Sequence, residues 1–308
     1  MKFGTFSRRF LEKRRILVLS KEISAPTLNS DEIRLERMLP AFARKRLCEI
    51  TPSHVDKFLD LLILKGKAPA TRNRYRALLH TIFKYAIRGG YCTRNPVAEI
   101  PILSEKIKRR QVDYWKTNSE RDRYIEAAFA MNFVYGIGAT IMCLGGCRVS
   151  EMMALQFQDI EWDRSYIRVR RIIERMTVTV QDRTKGQKAG GEYQMLMLPR
   201  LKTLLTKWFH IAPRSKPTDF IVQRPDGRHF DYDVYSKIHE KIIIRAGVKR
   251  ITLHDIRRTF ASSMERAGFH KAEIGEALGH ETLSATEAYT LMDVSHLVDK
   301  ANKVGFGK

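Results

Sequence analysis

Five polar residues in the second half of the chain have types and spacings that could do chemistry together. Arg148 lies in Gly146-Cys147-Arg148-Val149-Ser150-Glu151. His254 and Arg257 lie in Leu253-His254-Asp255-Ile256-Arg257-Arg258-Thr259, His280 follows Leu278-Gly279, and Tyr289 closes Thr286-Glu287-Ala288-Tyr289. Two guanidiniums can grip the non-bridging oxygens of a phosphate. Two imidazoles can donate or relay protons, and a phenol oxygen can attack phosphorus. Such a set could break a phosphodiester without metal. Each residue alone has an ordinary alternative: a salt-bridge arginine, a histidine at a helix start, or one of 11 tyrosines in core or surface.

The elements that must position these groups belong to a chain built for a polyanion. It has 308 residues, enough for two domains, and 44% apolar residues, enough for a core in each. Its 56 Lys and Arg outnumber 34 Asp and Glu, a net charge of +22. Each phosphate such a surface neutralises releases counterions, so nucleic acid is the expected partner. A membrane surface is the rival, but no apolar run approaches the roughly 20 residues of a spanning helix. Met1-Lys2-Phe3-Gly4-Thr5 lacks the apolar core of a signal peptide. The expected location is cytoplasmic and DNA-associated, with no membrane partner. Cys48, Cys92, Cys143 and Cys147 are scattered, without zinc-finger spacing, and read as buried free thiols.

The first hundred residues read as a helical bundle. After a cap at Ser30, Leu35, Met38, Leu39 and Phe42 recur at helical spacing, with Pro40 near the end. No separate arm-type DNA-binding domain fits before residue 30, which points to a simple core site, with a remnant of such an arm in Met1 to Pro26 as the alternative. Thr51 and Pro52 start a helix striped by Val55, Phe58, Leu59 and Leu62 and stopped by Gly66. A third helix, from about Thr71 to Arg88, turns Tyr75, Leu78, Leu79, Ile82 and Ala86 inward. Its other face carries Arg72, Arg74, Arg76, Lys84 and Arg88. Nearly all of that charge has one sign, so mutual repulsion favours phosphate contact over a plain solvated face. Between Pro101 and Asn118 the periodicity fails and Lys106, Lys108, Arg109 and Arg110 cluster, which predicts a basic linker.

Helices are predicted around Ser119–Met131 and Phe133–Leu144. Strands follow at Tyr166–Ile173, Thr177–Val180 and Tyr193–Leu198, and helices resume at Pro199. The order α, short β-sheet, α fits an α+β domain. Arg148 opens a helix, where the positive helix end would help its planar fork meet a phosphate. His254 and Arg257, at i and i+3, share a helix face that Gly268 ends. Gly279 turns the chain at His280, and a Ser284/Glu287 capping pair starts a short helix bearing Tyr289.

In order, wording and spacing these motifs resemble the tyrosine recombinases, also called phage integrases, over most of the chain. Gly146 to Asp159 resembles the family's first box, and His254 to Tyr289 its second, with eight residues between His280 and Tyr289. Arg258 departs from the pattern, standing where many members have histidine. The resemblance implies an N-terminal helical core-binding bundle, followed by a mostly α catalytic domain with a small antiparallel β-sheet. On these grounds residues 1–103 form the core DNA-binding domain, 104–118 the basic linker and 119–308 the catalytic domain.

The resemblance also implies roles. Arg148 and Arg257 would stabilise the phosphorane, with His254 and His280 bonding the phosphate or relaying protons; some relatives carry tryptophan at the position of His280. Glu151 resembles the acid that steadies the family's site, a solvent-facing helix carboxylate being the alternative. A lysine on the sheet's turn serves as general acid, and Lys185 in Thr184-Lys185-Gly186 matches best, with Lys188 next. Tyr289 would form a 3′-phosphotyrosyl link and free a 5′ hydroxyl, conserving bond energy, so no cofactor is expected. The expected partners are double-stranded DNA with a specific core site, a homotetramer on paired sites and, optionally, accessory DNA-bending proteins. Ser295, Leu297, Val298 and Ala301 suggest the tail helix that recombinases dock on a neighbour.

The function expected is thus that of a site-specific recombinase or integrase of a phage or mobile element. An Xer-type dimer-resolving enzyme, a type IB topoisomerase-like relaxing enzyme and a non-catalytic DNA-binding regulator are the alternatives.

Overall fold

The protein is described by a computed structural model that covers residues 1–20, 22–103, 113–182, 191–279 and 295–306. The chain divides into two compact units, Met1–Arg110 and Gln111–Lys308. Lys106, Lys108, Arg109, Arg110, Lys185, Lys188, Ser284, Glu287, His280 and Tyr289 lie outside the described residues.

The first unit packs four helices, α1 (Phe3–Leu19), α2 (Ala25–Phe42), α3 (Pro52–Leu64) and α4 (Pro69–Arg88). Aromatic contacts run through them. Phe3 meets Phe42 with ring centroids 5.5 Å apart, Phe42 meets Phe58 at 5.3 Å, and Phe58 meets Tyr75 at 5.8 Å. The alternative of an arm remnant in Met1 to Pro26 does not hold for α1. Phe3, Phe6 and Phe10 recur at i, i+3 and i+7 and are buried, which makes α1 a core helix. Its dense Arg and Lys obscured that stripe. Some of those cations are paired, Arg14 with Asp31 and Arg15 with Glu32 at 2.9 Å. The start of α2 also moves: Ser24 is the cap, accepting from the Thr27 N–H, and Ser30 lies inside the helix. Pro40 lies inside it too, and the helix continues to Phe42.

The second unit is α+β. Its helices are α5 (Asn118–Met131), α6 (Phe133–Gly145), α7 (Val149–Met152), α8 (Pro199–Ile211), α9 (Tyr232–Ala246), α10 (Leu253–Arg266), α11 (Lys271–Ala277) and α12 (Ser295–Lys303). The strands are β1 (Ile160–Glu161), β2 (Tyr166–Val169), β3 (Ile172–Ile173), β4 (Val180–Gln181) and β5 (Tyr193–Leu196). Helix α6 is buried along most of its length, from Gly136 to Gly145, and forms the spine of the core. Strands β1, β2 and β5 make one antiparallel sheet, with Val169 opposite Tyr193, and β3 pairs with β4 in a second.

Two strand expectations change. Tyr166–Ile173 is not one strand, because Arg170 and Arg171 both turn to the buried carboxylate of Asp159, Arg170 at 3.0 Å, and separate β2 from β3. Thr177–Thr179 precede β4 in a turn. Val178 has a φ of +52°, and the Glu174 carboxylate accepts from the Met176 and Thr177 N–H groups at 2.7 and 2.6 Å.

Helix α12 buries Leu297, Val298 and Ala301 in a cluster with Phe260, Met264, Phe269 and Leu278 of the same chain. Lys300 fixes it there, its Nζ 2.7 Å from both carboxylate oxygens of Glu273. Among the described residues, no helix is long and apolar enough to cross a membrane.

Candidate active site

The site is built from three segments of the second unit. The first is the turn from α6 into α7. Gly146 has a φ of +70°, and a Cβ there would sit 2.3 Å from the Phe260 ring, so only glycine permits both the left-handed turn and the close approach. Arg148 follows as the residue that caps α7. Three residues on, Glu151 turns back, and its Oε2 accepts the Arg148 backbone N–H at 2.7 Å. Its Oε1 takes the Arg148 guanidinium at 2.6 Å. Glu151 is not the solvent-facing carboxylate of the alternative reading: its relative exposure is 0%.

The second segment is α10. Thr252 caps it in a reciprocal pair with Asp255, whose carboxylate also takes Arg258 at 2.9 Å. This assigns Asp255 to capping and leaves Arg258 tied to it at the surface. Arg257, one turn in, is buried and faces Glu151, with Nη1 3.8 Å from Oε2. The same Nη1 donates to the Gly146 carbonyl at 3.0 Å, and Nη2 donates to the carbonyl of Leu278. A guanidinium has five N–H donors, so other donors remain for a ligand. His254, in the first turn of α10, is exposed, whereas its neighbours Leu253 and Asp255 are buried. Partial desolvation first, and then the charge of Arg258, hold its imidazole below the ordinary value; Asp255 opposes this, and the charges of Arg257 and Arg148 add to it.

The third segment is β5 with the turn after α11. Tyr193, on β5, is 5% exposed and donates its hydroxyl to Glu151 Oε2 at 2.9 Å. Burial first, and the Glu151 charge second, keep that phenol protonated well above its ordinary range. Gly279 has a φ of +61°, and a Cβ there would come within 2.3 Å of the Tyr193 ring. Cys147, behind the site, is a buried thiol pushed up first by desolvation and then by Glu151.

A single buried carboxylate thus receives Arg148 and Tyr193 and faces Arg257. A buried anion is tolerable only when so surrounded, and removing a partner would leave an uncompensated charge. The arrangement brings together three of the sequence-predicted residues, Arg148, His254 and Arg257. The sequence reading missed Tyr193 altogether. The Arg148–Glu151 pair could have been found from its i, i+3 spacing at a helix start; Tyr193 carried no local signal beyond being an aromatic in a strand.

The predicted basic face of α4 belongs to the first unit and is heterogeneous. Arg74, Lys84 and Arg88 are exposed. Arg76 is half-buried, and its Nε donates to the Ile100 carbonyl at 2.7 Å, holding the segment that follows α4. Arg72 is half-buried too, with an Nε hidden from solvent that meets no partner among the described residues. His80 registers the local positive field: burial first, then Lys84 and Arg76, lower its proton affinity.

The model of the phage integrase family matches residues 107–296, more than half the chain, and that of the phage integrase central domain matches residues 3–101. The chain is similar to tyrosine recombinase XerC of Thermodesulfovibrio yellowstonii, 28% identical over 289 residues, which covers 92% of each chain. It is also similar to tyrosine recombinase XerA of Pyrococcus furiosus, 26% identical, covering 86% of this chain and 87% of that protein. In fold it resembles a lambda integrase dimer bound to a COC′ core site, with a TM-score of 0.68, 18% identity and 95% and 99% of the two chains covered. It also resembles the Tn1549 transposon integrase in complex with circular intermediate DNA, with a TM-score of 0.71, 16% identity and 96% and 98% covered. With two arginines and a histidine drawn from separate segments into one site, and with the family model spanning the motifs that supply them, the chain belongs to the phage integrase family of tyrosine recombinases.

Proposed function

We propose that this site-specific DNA recombinase cuts and rejoins DNA through Tyr289, with Arg148, Arg257 and His254 acting on the scissile phosphate. The observation that carries this reading is the gathering of Arg148 and Arg257 about the buried Glu151, with His254 near enough to both to feel their charges. Two fixed guanidiniums aimed at one phosphate would stabilise the charge that builds on its oxygens as the phenol attacks. Tyr289 would displace the 5′ oxygen and leave a 3′-phosphotyrosyl ester. The 5′ hydroxyl of a partner strand would then attack that ester, so each bond broken is replaced by one formed. Lys185 is proposed to protonate the leaving 5′ oxygen, Lys188 being the other candidate, and His280 to bond the phosphate.

The first unit would clasp one side of the duplex through Arg74, Lys84 and Arg88, with Arg72, Arg76, Lys106, Lys108, Arg109 and Arg110 adding positive charge to the same grip. Four protomers on paired core sites would perform the exchange. Helix α12 would then leave the groove it fills on its own chain for the equivalent groove on a neighbour.

The biological setting proposed is a phage or other mobile element. An Xer-type dimer-resolving role is the second reading, favoured by relatives that match nearly end to end and are named XerC and XerA. DNA flanking the gene separates the two: paired attachment-type repeats bounding an element support the first, and their absence supports the second.

The chemistry is tested with a nicked suicide duplex on a denaturing gel, followed by peptide mapping of the adduct. Tyr289→Phe is expected to bind the core site as the parent does and to form no adduct. Linkage to another tyrosine, linkage to a 5′ phosphate, or cleavage that persists in Tyr289→Phe would overturn the mechanism.

A further inference from the structure

One buried group in the site is left over by the proposed chemistry. Tyr193 holds no place among the groups that touch phosphate, yet it contacts two of the three segments from which the site is made. Its hydroxyl donates to Glu151 Oε2 at 2.9 Å, the oxygen that also accepts the Arg148 N–H at 2.7 Å and lies 3.8 Å from Arg257 Nη1. Its ring lies against Gly279, close enough that a Cβ at that glycine would be only 2.3 Å away. Gly279 stands between Leu278, whose carbonyl accepts from Arg257 Nη2, and His280 in the sequence. Tyr193 itself is held by the sheet, opposite Val169 of β2, and follows Lys185 by eight positions.

We propose that Tyr193 is a positioning residue for strand cleavage: its hydroxyl orients Glu151, and so Arg148 and Arg257, while its ring sets the turn at Gly279.

A neutral donor suits this task. The two arginines must keep N–H groups free for a phosphate, so the carboxylate that anchors them needs another donor that does not compete for the substrate. A phenol supplies one hydrogen bond and adds no charge. Burial keeps it protonated, so it remains a donor throughout the pH range in which the enzyme would work. Without it, Glu151 would be free to rotate toward whichever guanidinium moves, and the spacing of the two arginines would no longer be fixed from the sheet. Loss of alignment in such a site lowers the rate more than the affinity, because the phosphate is still held by charge while the attacking geometry is missed.

The inference rests on the proposed Tyr289 chemistry, and its test separates the two. The parent chain, Tyr193→Phe, Glu151→Gln and the double variant are compared for duplex binding by gel shift and for the single-turnover rate of adduct formation on a nicked duplex. Tyr193→Phe keeps the ring against Gly279 and removes only the hydroxyl. It is expected to bind within about twofold of the parent and to cleave about tenfold more slowly, the rate equivalent of losing one hydrogen bond to a charged acceptor. In the Glu151→Gln background the same change is expected to have no further effect, because the amide oxygen can keep the Tyr193 bond but the Arg148 guanidinium that the carboxylate positioned has already been displaced. A merely structural tyrosine would lower the melting temperature and slow both backgrounds equally. Parental cleavage by Tyr193→Phe, an equal loss in both backgrounds, or a parallel loss of binding and cleavage would each overturn the proposal. Failure of the parent to form any adduct at Tyr289 would instead overturn the reading on which it rests.

Discussion

Replacing Glu151 by glutamine is the most demanding perturbation of the site, because the two side chains have nearly the same shape and differ in charge and donor pattern. The carboxylate accepts from the Arg148 N–H and the Tyr193 hydroxyl on one oxygen and from the Arg148 guanidinium on the other, with Arg257 3.8 Å away. A glutamine oxygen can replace Oε2 and keep the first two bonds. Its NH2 group then faces the Arg148 guanidinium at a position where Oε1 stood 2.6 Å away, and two donors cannot share that distance. Arg148 must swing out, and buried Arg257 loses the charge opposite it. Arg148 is 20% exposed and regains some hydration on leaving, whereas Arg257 at 5% does not. The loss of one charged hydrogen bond and of the compensation for a buried cation amounts to about 2–4 kcal/mol. For a unit of this size that corresponds to roughly 4–16 °C in Tm.

All three tryptophans, Trp115, Trp162 and Trp208, lie in the second unit, so their fluorescence in urea or heat reports that unit alone. Cleavage of a nicked duplex should fall by on the order of 10²–10³-fold, the usual cost of misplacing a charge-stabilising donor. A variant that melts within about 1 °C of the parent and cleaves within about twofold would refute the reasoning; on that outcome Glu151 would not be the anchor of the arginine pair.

Three further outcomes are expected. His239, held between the Tyr124 hydroxyl at 2.8 Å and the Ile251 carbonyl at 2.8 Å, is buried, and desolvation lowers its proton affinity; His254 is lowered as well. Both then bind fewer protons folded than unfolded, so stability is full above the unfolded value near 6.5 and is lost as pH falls from there through the depressed folded values. The slope for His239 is at most about 1.4 kcal/mol per pH unit, and smaller for exposed His254; urea midpoints of the second unit that do not change between about pH 7 and pH 5.5 would contradict this. Replacing Arg74, Lys84 and Arg88 by alanine should weaken duplex binding and flatten its salt dependence, by about 0.9 in log–log slope for each phosphate that is no longer neutralised. Arg76→Ala, by contrast, should lower the stability of the first unit, because its Nε holds the Ile100 carbonyl. An unchanged salt slope in the triple variant would return this face of α4 to bulk solvent.

The sequence by itself determined much of this protein. Motif order and spacing identified the family. Helical periodicity placed α3, α4, α5 and α6 close to their observed limits, because each has an apolar stripe bounded by a cap, a proline or a glycine. Gly279 was readable as a turn for the same local reason. Where competing signals overlapped, the reading failed: the apolar stripe of α1 was hidden among its cations, and the β-branched run from Tyr166 to Ile173 gave no hint that Arg170 and Arg171 would leave the strand for Asp159.

Only the tertiary structure decided what holds the arginines. Glu151 and Tyr193 stand 42 positions apart, and Gly146 and Arg257 stand 111 apart, so no periodicity links them. Their association follows from burial. Once packing takes a carboxylate out of water, every donor within reach is recruited to it, and which donors those are depends on how the sheet, α7 and α10 meet. Local propensity acts within a few residues and cannot specify that meeting; it is fixed by the core that closes around α6.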